Sequence, residues 1–223
     1  MTDQSKLAPA LWLQIAQGWL QTFRDYMGVG GRRKEVVNDA ASLRRFLEER
    51  ASHVAQTSLY GYLRTRAGQR YPELFDEDIF VDALNIAKWH VWLACLADLT
   101  VYAGGLLAQQ QPAAETRVAQ LMQGIVDTIL RDTDIPADAG EGFTTHSDQI
   151  RTRITQCSWA TVGEDEAAFS ESPAALYKWA PLVDNLKQLD EEIVLNSVRF
   201  RWQEVRRDLR QALDVDSVLG QLP

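Results

Sequence analysis

The side chains that most often perform catalysis are sparse in this sequence of 223 residues. It contains three histidines and two cysteines, at His53, His90, His146, Cys95 and Cys157. No serine lies in a GxSxG turn, which exposes the nucleophile in common serine hydrolases. The HExxH motif of zinc peptidases and the ExxH motif of di-iron bundles are also absent. The sequence therefore predicts no catalytic residue, no metal site and no cofactor.

Several polar residues interrupt the most apolar segment, which we predict to be a helix over residues 77–110. They are Asn85, Lys88, His90, Asp98 and Thr100. Lys88 lies near the helix start and can extend its ammonium group to solvent. Asp98 lies mid-helix, so we expect its carboxylate to be buried and paired with an arginine. The candidate arginines lie on the second and the last predicted helices, at Arg50, Arg64, Arg66, Arg199 and Arg201.

The last predicted helix, over residues 182–213, carries one polar residue in an apolar stripe. The stripe comprises Leu182, Leu186, Leu189, Ile193 and Phe200, and Asn196 takes the place of a further apolar residue. We expect Asn196 to lie in the interior, where an amide needs partners and fixes the helix register. A functional alternative is a polar ligand-binding pocket built from Arg64, Asp98, Asn196 and Arg199.

The remaining apolar periodicity predicts further helices and no strand. Their ranges are about 7–27, 36–67, 113–131 and 144–157, with another beginning near Pro173. The fold class is all-α, an irregular bundle of six or seven helices around the central apolar helix 77–110. We expect one domain over residues 1–223, in which residues 1–35 form an N-terminal helix followed by a flexible loop of glycines and basic residues. Five tryptophans, at Trp89, Trp92, Trp159, Trp179 and Trp202, are expected to anchor the core and its interfaces.

The formal charge of −8 is unevenly distributed. Residues 1–70 hold eleven Lys and Arg against six Asp and Glu, whereas the rest of the chain is strongly acidic. An acidic surface opposes nucleic-acid binding, so we expect no nucleic-acid partner. The local basic run Arg32, Arg33 and Lys34 is the one place where a peripheral membrane contact is conceivable.

The apolar run 91–108 and the two cysteines both argue against a membrane or secreted protein. That run contains a central Asp98, and a charge at mid-span costs about 2.5 kcal/mol or more in a bilayer. We therefore expect a core helix and no membrane span. The two cysteines are far apart and fit free thiols better than a disulfide framework, which predicts a cytoplasmic protein.

Three sequence runs carry a resemblance to a known family. They are SLYGYLRTRAGQRYPELF from residue 58, NIAKWHVWLACLADLTVY from residue 85, and KWAPLVDNLKQLDEEIVLNSVRFRWQEVR from residue 178. Together they resemble a largely uncharacterised family of helical alphaproteobacterial proteins, some members of which bear an automatic esterase label. The resemblance implies a bacterial, cytoplasmic helical bundle and assigns no catalytic residue.

Two functions from different classes follow. The leading hypothesis is a non-catalytic helical interaction or scaffold protein that associates with itself or with a protein partner. A large exposed apolar patch would favour it. The alternative is a helical enzyme or binder of a small acidic or amphipathic ligand. A concave pocket that holds Asp98 with Arg64 or Arg199 would favour this second function.

Overall fold

The computed structural model describes residues 36–163, 165 and 167–220, all of which belong to one compact unit, Val36–Pro223. The predicted N-terminal helix, the glycine loop that follows it, and the basic run Arg32, Arg33 and Lys34 lie outside the described residues.

The described chain is an all-α bundle, as the periodicity predicted. Its helices are α1 (Ala40–Ala67), α2 (Asp78–Gln110), α3 (Glu115–Thr133), α4 (Phe143–Thr155), α5 (Glu171–Trp179), α6 (Asp184–Ala212) and α7 (Val215–Gly220). Short 3-10 turns cover Gly68–Arg70, Pro72–Asp76, Pro112–Ala114 and Trp159–Thr161. Extended pairing in the described residues is limited to an isolated bridge between Val37 and Leu213.

Helix α2 is the centre of the bundle, and α1, α3, α4 and α5 all pack against it. Every residue from His90 to Ala108 is buried. Because this stretch is buried on all sides, its sequence is apolar all round instead of amphipathic. Two glycines allow close approach: a Cβ at Gly104 would lie 2.1 Å from Trp159 Cζ3, and one at Gly105 would lie 2.5 Å from Val162 Cγ1.

Helix α1 begins at a capping box and ends at a glycine. The Asp39 side chain accepts from the Ser42 backbone N–H, and the Ser42 hydroxyl oxygen accepts from the Asp39 N–H. Gly68 follows the helix with φ +56°, a conformation that a side chain disfavours. Both ends of α1 are therefore defined by local chemistry.

An ion pair fastens α6 to α1. Asp190 is buried and accepts from the Arg66 guanidinium and, at 3.0 Å, from the Tyr62 hydroxyl. Burial and the neighbouring Asp190 carboxylate raise the pKa of Tyr62 to about 12, so the hydroxyl remains a donor. At the opposite end of α6, Val37 donates its N–H to the Ala212 carbonyl oxygen.

Candidate functional site

Helix α6 exposes a row of large apolar side chains to solvent. Leu189, Ile193 and Phe200 have 76%, 70% and 71% of their surface exposed, and Leu186 has 37%. A folded protein seldom leaves several large apolar residues together on one exposed helix face, and such a patch marks an interaction site. We call Leu186, Leu189, Ile193, Asn196 and Phe200 the α6 seam.

The spacing of the α6 seam is that of a coiled coil. Successive members are separated by three, four, three and four residues, the a and d positions of a heptad. At 3.6 residues per turn, the four apolar members fall within about 60° of the helix circumference. They span about 21 Å along the axis at 1.5 Å per residue. The α6 seam is therefore a narrow apolar strip along the outer face of α6.

A second apolar face of α6 packs into the bundle. Its buried residues are Val194, Val198, Trp202, Val205 and Leu209. This face lies about 150° around the helix from the α6 seam at 100° per residue. Within the described residues, it is this buried face that anchors α6 to the bundle.

The seam positions correct one sequence-based expectation. The predicted stripe of Leu182, Leu186, Leu189, Ile193 and Phe200 was expected to face the interior with Asn196. Leu182 is half-buried against the core, but the other four apolar residues lie on the outer face of α6. Asn196 is exposed, and its Oδ1 accepts from Arg199 Nη1 at 3.3 Å. The expectation was wrong because both faces of α6 are apolar, and periodicity does not tell which one packs inward.

The α2 carboxylate that the sequence singled out is fully buried, as expected. Asp98 Oδ1 accepts from Arg153 Nη1 at 2.7 Å and from the Glu171 N–H at 3.2 Å. Asp98 Oδ2 accepts from the Ser172 N–H at 2.7 Å and from the Ser172 hydroxyl at 2.6 Å. Trp202 Nε1 in turn donates to Ser172 Oγ at 2.9 Å. One carboxylate thus joins α2, α4, α5 and, through Ser172, α6.

These contacts show which charge state the site accommodates. Burial raises the pKa of Asp98, while Arg153 and Ser172 hold it down. All four groups around the carboxylate are donors, and two of them are N–H groups in the first turn of α5, where a helix favours negative charge. The geometry therefore fits an ionised carboxylate that closes the N-terminal end of α5.

The identity of the arginine corrects another expectation. We expected a partner from the second or the last predicted helix, but Arg153 belongs to α4. Arg66, one of the five candidate arginines, pairs with Asp190 instead. A buried carboxylate requires a cation, which the sequence reveals, but several arginines satisfy that requirement and only packing selects among them.

The four residues predicted to form a ligand pocket are not assembled into one. Asp98 is buried among Arg153, Glu171 and Ser172, whereas Arg64, Asn196 and Arg199 are exposed. Only Asn196 and Arg199 contact one another, as neighbours on α6. Asp98 thus belongs to a buried network, Arg64 lies on the exposed face of α1, and Asn196 and Arg199 lie on the exposed face of α6.

A separate polar cleft lies between α4 and α5 over α2. It has a volume of about 390 Å³ and is lined by His90, His146, Glu171, Lys178 and Trp179, among others. His90 Nδ1 and His146 Nδ1 are 2.8 Å apart, so one nitrogen donates and the other accepts. The Trp179 ring stacks on His90, with centroids 3.7 Å apart and planes 4° from parallel.

Burial lowers the pKa of both imidazoles of this cleft. Burial, aided by the charges of His146 and Lys178, lowers the pKa of His90 to about 4, and burial also lowers the pKa of His146. His90 Nε2 is buried without a hydrogen-bond partner in the described structure. A proton on His90 Nδ1, donated to His146, leaves Nε2 as a bare acceptor and avoids burying an unpaired N–H. Sequence reasoning missed this pair because the rings come from different helices.

Three further features of the described residues bear on function: the possible metal ligands, the two thiols and the apolar stretch of α2. No group of three or more His, Cys, Asp or Glu residues among the described residues is placed to hold a metal ion. Both cysteines are free; Cys95 is buried and Cys157 is half-buried. Helix α2 is long and apolar enough to cross a membrane by length and composition alone, yet its apolar stretch is wholly buried within the bundle.

No family model, no curated protein and no solved structure matches the chain. The resemblance to an alphaproteobacterial family therefore stays an expectation.

Proposed function

We propose that the protein is a cytoplasmic, non-catalytic interaction protein that self-associates through the α6 seam. The observation that carries the proposal is the heptad-spaced row of Leu186, Leu189, Ile193 and Phe200 on an exposed helix face. Without a partner, this row leaves apolar surface in water, at a cost of about 25 cal/mol for each Å² that association would bury.

A second copy of the chain is the occupant that the chemistry of the seam favours. Most soluble oligomers pair identical patches about a two-fold axis, which requires each patch to complement itself. The seam meets this requirement because its edge carries both signs of charge, at Glu192 and Arg199.

The test is the oligomeric state of the full chain and of a seam variant. Sedimentation velocity over a series of concentrations should show a reversible dimer for the parent chain. Ile193→Lys should shift the equilibrium to monomer, because it buries an ammonium group in the centre of the seam. Circular dichroism should show an unchanged helix content, since Ile193 is exposed in the monomer.

Ile79→Lys is the matched control. Ile79 is 86% exposed at the start of α2, a different helix from the one that carries the seam, and undergoes the same chemical change. It should dimerise as the parent does. A parent chain that stays monomeric up to its solubility limit, or an Ile79→Lys variant that dissociates like Ile193→Lys, would overturn the proposal.

A further inference from the structure

Two unpaired charges border the α6 seam on the same side. Glu192 and Arg199 are both exposed and are seven residues apart, which places each of them one residue before an a position of the heptad. Neither has an oppositely charged residue three or four positions away on α6, the spacing of an intrahelical ion pair. Arg199 donates a hydrogen bond from Nη1 to Oδ1 of the neutral Asn196. Both charges are therefore available to a partner helix.

We infer that the second copy packs antiparallel to the first, in the register that sets Glu192 against Arg199 of the second copy. This inference rests on the proposed self-association and specifies its geometry. In an antiparallel helix pair the corresponding edges of the two helices face one another, and a two-fold axis repeats each contact. One register therefore produces two ion pairs between Glu192 and Arg199, one at either end of the interface.

The same register brings only part of the apolar row together, since Leu186 falls opposite Gln203 of the second copy. It sets Leu189 against Phe200 of the second copy, and the two-fold axis repeats this contact. Ile193 then lies opposite Asn196 of the second copy near the middle. Asn196 Oδ1 already accepts from Arg199 in its own chain, so its amide oxygen is satisfied before association.

The competing arrangements pair the charges less well. A shift of one heptad in either direction brings Glu192 against Glu192, or Arg199 against Arg199, which is repulsive. A parallel pair sets Glu192 against the neutral Ser197 and Arg199 against Glu204. Glu204 already has a partner within its own chain in Arg207, at 3.5 Å. Among these arrangements, one antiparallel register gives opposite charges on both ends of the seam.

The decisive experiment is a charge swap in the full chain, followed by sedimentation at low salt. Glu192→Arg and Arg199→Glu should each weaken dimerisation about tenfold, because each turns two attractive contacts into repulsive ones. The double variant should recover a dissociation constant close to that of the parent. Glu191→Arg is the control, since Glu191 is exposed on α6 outside the seam and should leave the dimer unchanged.

Thiol cross-linking gives an independent readout in a Cys157→Ser background, with Cys95 buried. An equimolar mixture of Leu189→Cys and Phe200→Cys chains should form a disulfide-linked heterodimer, and neither chain alone should cross-link efficiently. Cross-linking of each chain with itself would indicate parallel packing and would overturn the inferred register. So would a dimer that the double charge variant fails to restore.

The two proposals fail in different ways. A parent chain that never dimerises contradicts the self-association itself. A parent dimer that Ile193→Lys dissociates, but that neither Glu192→Arg nor Arg199→Glu weakens, preserves the self-association and refutes the antiparallel register.

Discussion

Arg153 Nη1 lies 2.7 Å from Asp98 Oδ1, and this contact ties α4 to the buried middle of α2. The same guanidinium donates from Nη2 to the Ala168 carbonyl oxygen at 3.0 Å, so it also holds the segment that leads into α5. Asp98 closes the first turn of α5 in turn. A single ion pair therefore stands at the junction of three helices.

We expect Asp98→Ala to destabilise the fold by about 3–5 kcal/mol, because it leaves Arg153 and the α5 N–H groups without their acceptor. Arg153→Ala should act in the same direction. Chemical denaturation of both single variants and the double variant should give a coupling energy above about 0.5 kcal/mol. Arg64→Ala, at an exposed position on α1, is the control and should change stability by no more than about 0.5 kcal/mol. Additive effects at Asp98 and Arg153 would contradict this account.

A glycine pair tests the packing of α2. Gly104→Ala should destabilise the protein by about 1–3 kcal/mol, because its Cβ would lie 2.1 Å from Trp159 Cζ3 and the buried indole has to move. Gly124→Ala on α3 meets no atom within 4 Å and should stabilise the protein by about 0.5–1 kcal/mol through helix propensity. Melting temperatures of the two variants should therefore move in opposite directions. A neutral Gly104→Ala would show that α2 and Trp159 are not in close contact.

The His90 cleft predicts a loss of stability in weak acid. The pKa of His90 is about 4 in the folded protein, below its ordinary value of 6.5. As the pH falls below 6.5, the unfolded chain takes up the proton first, so the free energy of unfolding decreases until about pH 4. Each pH unit in this window costs at most about 1.4 kcal/mol.

Urea denaturation between pH 7 and pH 4 measures this loss directly. His90→Gln should have a shallower pH dependence than the parent, because glutamine does not titrate. The comparison is made on slopes, so a lower overall stability of the variant does not obscure it. Equal slopes for His90→Gln and the parent would show that the lowered pKa of His90 does not cause the loss of stability in acid.

The two thiols should differ in reactivity. Cys95 is buried and Cys157 is half-buried, and burial raises the pKa of both thiols. A thiol reagent added to the native protein should therefore label Cys157 slowly and leave Cys95 unmodified until the chain unfolds. Peptide mapping by mass spectrometry identifies the labelled residue. Rapid labelling of Cys95 in native protein would show that α2 is not central.

The sequence alone determined the six longer helices of the described chain and the centre of the bundle. The predicted range 77–110 differs from α2 by one residue, because the apolar composition, the polar start and Pro112 mark that helix locally. The burial of Asp98 was also predictable, since no mid-helix position in so apolar a segment reaches solvent. The six residues of α7 were not predicted, because one turn and a half carries too little periodicity to recognise.

Only the tertiary structure decided which groups meet across helices. Arg153 was chosen over five other arginines, and His90 was paired with His146, through contacts between residues more than fifty positions apart. The inward face of α6 was decided in the same way. Two apolar faces have the same helical period, and the one that fits against α1 and α5 carries Val194, Val198 and Trp202. Periodicity reveals that a face is apolar, whereas shape complementarity with neighbouring helices determines which face is buried.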